Sequence, residues 1–247
     1  MDVSIVIPVY NEAENVLHLA AEVEQALKPL NGCWECLWID DGSTDDTWDK
    51  LLLVASAHPG GPHRLCALKK NAGQSAALWV GFQRCRGRFI ATLDGDGQND
   101  PRDIPRLVAL LVDGRYDMVQ GYREARKDSL KRRLASRIAN GFRNLITGKS
   151  VRDVGCSTRV FRRECLPYLP PFKGLHRFLP TLLMYQGFRI AETPVNHRPR
   201  RRGTTKYGIF DRLWVGLLDI FGVSWLRVRG FRCQVVRTFP EQDTHHE

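Results

Sequence analysis

Residues 3–9 are an almost unbroken apolar, β-branched run, and the next apolar positions, Val16, Leu19, Ala20, Val23 and Leu27, recur at helical spacing. That alternation repeats. Residues 36–39, 64–68, 88–93 and 117–120 read as strands and residues 44–57 and 74–85 as helices, while Pro101 opens a further helix with Asp100 as its cap. Repeated βα units of this length predict an α/β fold on a mainly parallel, doubly wound, Rossmann-like sheet. Ligands in such sheets bind beyond the carboxyl ends of the strands, so polar clusters should follow the strands. They do. Strand one runs into Pro8, Tyr10, Asn11 and Glu12, strand two into Asp40, Asp41, Ser43 and Asp45, and strand four into Asp94, Gly95, Asp96 and Gln98.

The second half is less regular. Residues 129–147 read as a helix that is basic on one side, 154–161 as a strand, 175–186 as a helix and 188–195 as a strand. A last segment, 210–228, sets Leu213, Trp214, Leu217, Leu218, Phe221, Trp225 and Leu226 between basic ends. No internal repeat or low-complexity linker interrupts the chain. The expected organisation is one domain over residues 1–207 and an amphipathic segment with a tail over 208–247.

Composition narrows the partners. At 247 residues, with 43% hydrophobic and 26% charged positions, the chain has the make-up of a folded globular protein. Its net charge of +10 is unevenly placed: residues 123–143 hold eight Lys/Arg and residues 197–237 hold ten. Basic clusters interleaved with aromatic and apolar residues point to an anionic partner, whether phosphate, phospholipid or nucleic acid. Seven scattered cysteines suggest reduced thiols and a cytosolic compartment, with Cys33 and Cys36 as core thiols rather than a metal pair. The start of the chain lacks the basic region of a secretory leader. No stretch reaches the ~20 apolar residues of a spanning helix, since Asp219 interrupts the last segment.

The densest chemistry is Asp94-Gly95-Asp96-Gly97-Gln98. Two carboxylates two residues apart at a strand end reach one ion when glycines let the chain turn closely. Hard oxygen ligands suit Mg²⁺ or Mn²⁺, ions that also bridge the two phosphates of a nucleotide sugar and stabilise a departing diphosphate. A calcium EF-hand loop is excluded, because Asn99 stands where that loop needs Gly and Pro105 where it needs Glu. At the ends of strands one and two, a ring and several acids suit a nucleoside, although Asn11, Ser43 and Asp45 also suit helix starts. Acids at three strand ends along one edge need a cation or a donor-rich ligand to offset their repulsion.

These segments, together with Asn71-Ala72-Gly73, Gly121-Tyr122-Arg123, Arg152-Asp153-Val154-Gly155-Cys156 and His197-Arg198-Pro199-Arg200 leading to Gly203-Thr204-Thr205-Lys206-Tyr207, resemble the family 2 glycosyltransferases. The likeness is greatest to their polyprenyl-phosphate branch, of the dolichyl-phosphate mannose synthase type. It implies a GT-A fold and an inverting, metal-dependent transfer of a hexose, mannose or glucose, from GDP-mannose or UDP-glucose to a polyprenyl phosphate. On that likeness Pro8, Tyr10, Glu12 and Asp41 contact the nucleoside, with Ile39 lining its site by backbone. Asp94, Gly95 and Asp96 meet the metal and diphosphate, and Gln98 assists at the metal. Arg123 faces the sugar phosphate, Arg198 and Lys206 close over the diphosphate, and Asp153 serves as base or positions the acceptor. Arg132, Arg133, Ser136, Arg159 and Arg200 are the expected acceptor-phosphate contacts. Residues 213–228 suit an interfacial helix attracted to anionic lipid, which implies peripheral attachment at the cytoplasmic face of a membrane. The competing expectations are a family member acting on a polysaccharide or protein acceptor and, more distantly, a non-catalytic binder of nucleotide sugars or nucleic acid. The acidic edge opposes a nucleic-acid partner.

Overall fold

The computed structural model describes residues 2–30, 34–124, 148, 151–199 and 209–229, with side chains of the last segment described from residue 219. The expected helix at 129–147, and with it Arg132, Arg133 and Ser136, lies outside the described residues, as do Arg200 and Lys206.

Each apolar run becomes a strand whose side chains alternate between two faces. The strands are β1 (Val3–Val9), β2 (Trp34–Asp40), β3 (His63–Ala67), β4 (Phe89–Thr92), β5 (Met118–Arg123), β6 (Arg159–Arg162) and β7 (Ile190–Val195). They form one seven-stranded sheet in the order β3-β2-β1-β4-β6-β5-β7. All its pairings are parallel except those of β6, which runs antiparallel to β4 and β5. Helices α1 (Ala13–Leu27), α2 (Thr47–Ala57) and α4 (Asp103–Asp113) bury Val16, Leu19, Leu51, Ile104 and Leu107 against Val3, Ile5 and Ile7 on one face. On the other face α3 (Gln74–Arg84), α5 (Leu175–Tyr185) and α6 (Ile209–Arg229) pack Phe82, Phe178, Leu182, Ile220 and Val223 with Val6, Ile39 and Phe161. Both faces of β2 are therefore covered, which is why all seven of its residues are buried and its sequence reads as continuous rather than alternating.

Most boundaries move by a few residues, and three of the shifts have a clear local reason. The strand expected over 154–161 begins only at Arg159. Before it, the Asp153 carboxylate takes the Gly155 N–H and its carbonyl takes the Cys156 N–H, closing a turn instead of a ladder. Helix α2 starts at Thr47 because the preceding backbone is engaged elsewhere: Asn11 Oδ1 accepts the Thr44 N–H at 2.8 Å and Asp45 Oδ1 accepts the Thr47 N–H at 3.0 Å. Helix α4 is regular only from Asp103, but the turn that opens at Pro101 is capped as expected: the Asp100 carboxylate takes the Arg102 N–H at 3.1 Å and also the Arg102 guanidinium, and its carbonyl takes the Asp103 N–H.

The order of strands sets the position of the site. β1 pairs with β2 on one side and β4 on the other, so the chain reverses its direction of winding there and leaves a crevice at the carboxyl ends of β1, β2 and β4. Val9, Asp40 and Thr92 end those strands.

Candidate active site

Asp41 follows β2 and is 3% exposed. Its carboxylate accepts the backbone N–H groups of Ala72 and Gly73 at 2.8 and 2.9 Å and the Asn71 amide at 3.1 Å. The Asn71-Ala72-Gly73 segment is thereby tied to the β2 end, directly before α3. Burial raises the Asp41 pKa, the two N–H donors lower it, and the charge of Asp40 raises it further, for a net upward shift. Gly42 makes the closeness possible: at φ +69°, a Cβ there would stand 2.6 Å from the Lys70 carbonyl carbon. Pro8, Tyr10 and Glu12 are half-buried at the neighbouring β1 end, and Ile39 contributes only backbone because its side chain is in the core. The structure thus gathers the expected nucleoside residues at adjacent strand ends, with Asp41 already engaged by a loop.

Asp94 and Asp96 follow β4. Their turn lies against β1, since a Cβ on Gly95 would come 2.6 Å from Val9 Cγ1 and 2.9 Å from the Pro8 carbonyl oxygen. Asn99 Oδ1 holds the Asp94 N–H at 3.1 Å, and Asp96 Oδ1 holds the Gln98 N–H at 3.1 Å. Gln74, the first residue of α3, donates to Asp94 Oδ1 at 2.7 Å. Burial pushes the Asp94 carboxyl up. A Ser157 hydrogen bond lowers it, the Asp96 charge raises it, and the Arg159 and Arg123 charges lower it, leaving it above the usual carboxylate range.

That imbalance is the physical argument for a cation. Two carboxylates beside one another, one of them desolvated, gain from a divalent ion. Gln98 is a candidate for the same set, because its Nε2 donates to the Arg198 carbonyl at 3.2 Å and Oε1 is then the amide atom left to accept or to ligate. Among the described residues no three His, Cys, Asp or Glu side chains converge as a metal cage. Asp94, Asp96 and Gln98 would therefore hold only part of the coordination sphere and leave the rest to diphosphate oxygens and water.

At the end of β5, two strands along the sheet from β4, Arg123 and Asp153 form a bidentate pair, Nε to Oδ2 at 2.7 Å and Nη2 to Oδ1 at 2.9 Å. Their side chains are 14% and 13% exposed. Burial lowers the Arg123 pKa, but the Asp153 bond and charge outweigh it.

Two arginines are placed differently from the expectation. Arg198 does not stand as an uncommitted cation over a diphosphate. Its Nη1 pairs with both Glu22 oxygens at 2.6 and 2.8 Å and its Nη2 with Asp100 at 3.0 Å. With the Arg198 N–H on the Gln98 carbonyl and a bridge between Asn99 and His197, it straps the loop after β7 onto the 94–98 turn. Arg159 is 3% exposed and gives Nη1 to the His176 carbonyl at 2.9 Å and Nη2 to the Cys156 carbonyl. Its burial leaves it acting on Asp94 through its field rather than by contact with an acceptor. Gln74, Ser75, Ser157 and His176 also belong to this neighbourhood. They are isolated polar residues at helix starts and in a turn, with no spacing to single them out.

The profile described as "Glycosyl transferase family 2" matches residues 4–168. The chain is 37% identical over 231 residues to dodecaprenyl-phosphate galacturonate synthase of Rhizobium johnstonii, covering 91% of this chain and 67% of that protein. It is 40% identical over 205 residues to undecaprenyl-phosphate 4-deoxy-4-formamido-L-arabinose transferase of Pseudomonas savastanoi pv. phaseolicola, covering 83% of this chain and 60% of that protein. The chain thus spans about two thirds of the length of these relatives, which are polyprenyl-phosphate sugar transferases by name. Glucosyl-3-phosphoglycerate synthase from Mycobacterium tuberculosis, solved with Mn²⁺, UDP and phosphoglyceric acid, superposes with a TM-score of 0.67 over 94% of this chain and 80% of that one, at 20% identity. That likeness bears on the fold, which is of the GT-A kind. Profile and relatives agree with the motifs at the strand ends, and the chain belongs to glycosyl transferase family 2.

Proposed function

We propose that this protein transfers a sugar from a nucleoside diphosphate donor to a polyprenyl phosphate at a membrane surface, with inversion and with a divalent cation. The observation that carries the reading is the Asp94–Asp96 turn, held against the β1 end and left short of positive charge, with the Arg123–Asp153 pair two strands along the sheet. Bound there, Mg²⁺ or Mn²⁺ would neutralise charge on the leaving diphosphate. A phosphate oxygen of the acceptor attacks the anomeric carbon as the bond from that carbon to the diphosphate oxygen breaks, and the nucleoside diphosphate leaves with the electron pair. An acceptor phosphate is already ionised near neutral pH, so a strong base is not required. Asp153 accordingly orients Arg123, whose two N–H groups it holds, toward the sugar phosphate. Pro8, Tyr10, Glu12 and the Asp41-bound loop would hold the nucleoside.

The relatives revise the sugar. Galacturonate and 4-deoxy-4-formamido-L-arabinose, the sugars of the two named above, are favoured over mannose and glucose, and UDP, present with the Mycobacterium tuberculosis enzyme of like fold, over GDP. For membrane attachment, α6 offers Phe221, Trp225 and Val228 at 59, 62 and 79% exposure, while Ile220 and Val223 pack on the domain. No helix among the described residues is long and apolar enough to cross a membrane. The test is a donor screen with purified protein, Mn²⁺ and undecaprenyl phosphate, read as radiolabelled sugar in the organic extract. UDP-galacturonate should label lipid and chelator should abolish it. Label confined to polysaccharide or protein, or undiminished in chelator, would overturn the reading.

A further inference from the structure

One residue along α3 from the Gln74–Asp94 contact, Ser75 is 8% exposed and touches the start of α5. Its oxygen accepts the Gly174 N–H at 3.0 Å and lies 2.7 Å from His176 Nδ1. Among the described residues Nδ1 is the acceptor within reach of that hydroxyl, and donation to it requires Nδ1 to be without a proton. The ring proton is then on Nε2. Nε2 has no protein partner among the described residues, and His176 is half-buried. The surroundings are positive. Arg159 donates to the His176 carbonyl and has a buried Nε without a partner, and Arg177 adjoins it in sequence, with one Nη on Asp219. Burial and then these two cations lower the His176 pKa to about 3, so the ring is a neutral donor at any working pH.

We infer that His176 is a substrate-contacting residue, held by Ser75 as the Nε2–H tautomer and donating to an electron-rich oxygen of the substrate beside Asp94. The group it meets is an oxygen of the donor sugar, such as a uronate carboxylate, or of the acceptor phosphate. Both suit a fixed donor in a positive field. This inference rests on the transferase reading. A ring that merely joins α3 to α5 would be the alternative, and the two differ in what glutamine does. A Gln side chain reproduces the Nε2 donor but not the ring's packing.

The experiment compares wild type, His176→Phe and His176→Gln as full-length proteins. Kinetics are taken with UDP-galacturonate and undecaprenyl phosphate varied in turn, alongside titrations with UDP, UDP-galacturonate and undecaprenyl phosphate. His176→Phe should lose about tenfold in affinity or kcat/KM, as expected for one hydrogen bond, for whichever substrate is contacted. UDP binding should be unchanged, and His176→Gln should recover most of the loss. A loss confined to the nucleotide sugar assigns the sugar oxygen, and a loss confined to the lipid assigns the phosphate. Should wild type transfer no sugar, the proposed function fails, and the binding titrations still report on His176. A folded His176→Phe protein with every constant within twofold of wild type overturns the inference. So does a loss that tracks melting temperature and is not recovered by glutamine.

Discussion

A desolvated carboxylate beside a second one works against folding, and Asp94 is in that position, with its pKa raised by burial and by Asp96. Removing its charge should therefore separate function from stability. In Asp94→Asn, turnover is expected to vanish while the melting temperature of the metal-free protein holds or rises. A fall of several degrees would mark the carboxylate as structural. His176 makes the opposite kind of prediction. Its pKa drops from 6.5 to about 3 on folding, so as pH falls the unfolded chain takes up a proton that the folded one does not. Stability is then complete above about pH 6.5 and is lost toward pH 3, by at most about 1.4 kcal/mol per pH unit. Urea unfolding at pH 7.5 and 5 should show a larger loss for wild type than for His176→Gln. At this scale the acids were readable in advance, because short side chains at a strand end have little choice of place. Arg198 and Arg159 were not. A long cation reaches several carboxylates and carbonyls, and which it finds depends on elements distant in sequence.

Strand and helix positions were largely legible, since periods of 2 and 3.6 follow from which face is buried. Boundaries slipped where a side chain competed for the backbone, as Asp153 does before β6 and Asn11 and Asp45 do before α2. The antiparallel direction of β6 had no local signal, because its four residues would fit the sheet either way. Loop closure is where an element-scale change should be most damaging. In Gly42→Ala the new methyl meets the Lys70–Asn71 backbone, which has no rotamer by which to move aside, and φ +69° is itself unfavourable. A loss of at least about 2 kcal/mol is expected in urea unfolding. UDP affinity should fall with it, as the Asp41-bound loop is displaced. Retention of both would show that the loop does not order the nucleoside site.

For the molecule as a whole, the described side chains of α6, from residue 219 on, show one apolar face packed on the domain and another exposed. Ile220 and Val223 are buried against the α5 side, Asp219 pairs with Arg177 at 2.7 Å, and Phe221, Trp225 and Val228 face outward beside Arg227 and Arg229. Replacing Phe221 and Trp225 with Ser should lower partition into phosphatidylglycerol vesicles by roughly tenfold per side chain. Stability should be unaffected, and added salt should weaken wild-type binding. Equal partition of the double variant would remove α6 as the contact. Ile220 and Val223 pack on the domain, and the exposed side is the one on which the proposed membrane contact rests.

Apolar periodicity, together with acids and glycines at strand ends, was sufficient to establish a doubly wound α/β fold and to locate the acidic turn, because burial and metal chemistry each demand local patterns. Spatial neighbours decided the rest: that Arg198 straps a loop, that Arg159 lies beneath the site, and that Ser75 meets the His176 ring. Those outcomes depend on hydrogen bonds between groups about 17 to 176 residues apart, and no period along a chain encodes such a pairing.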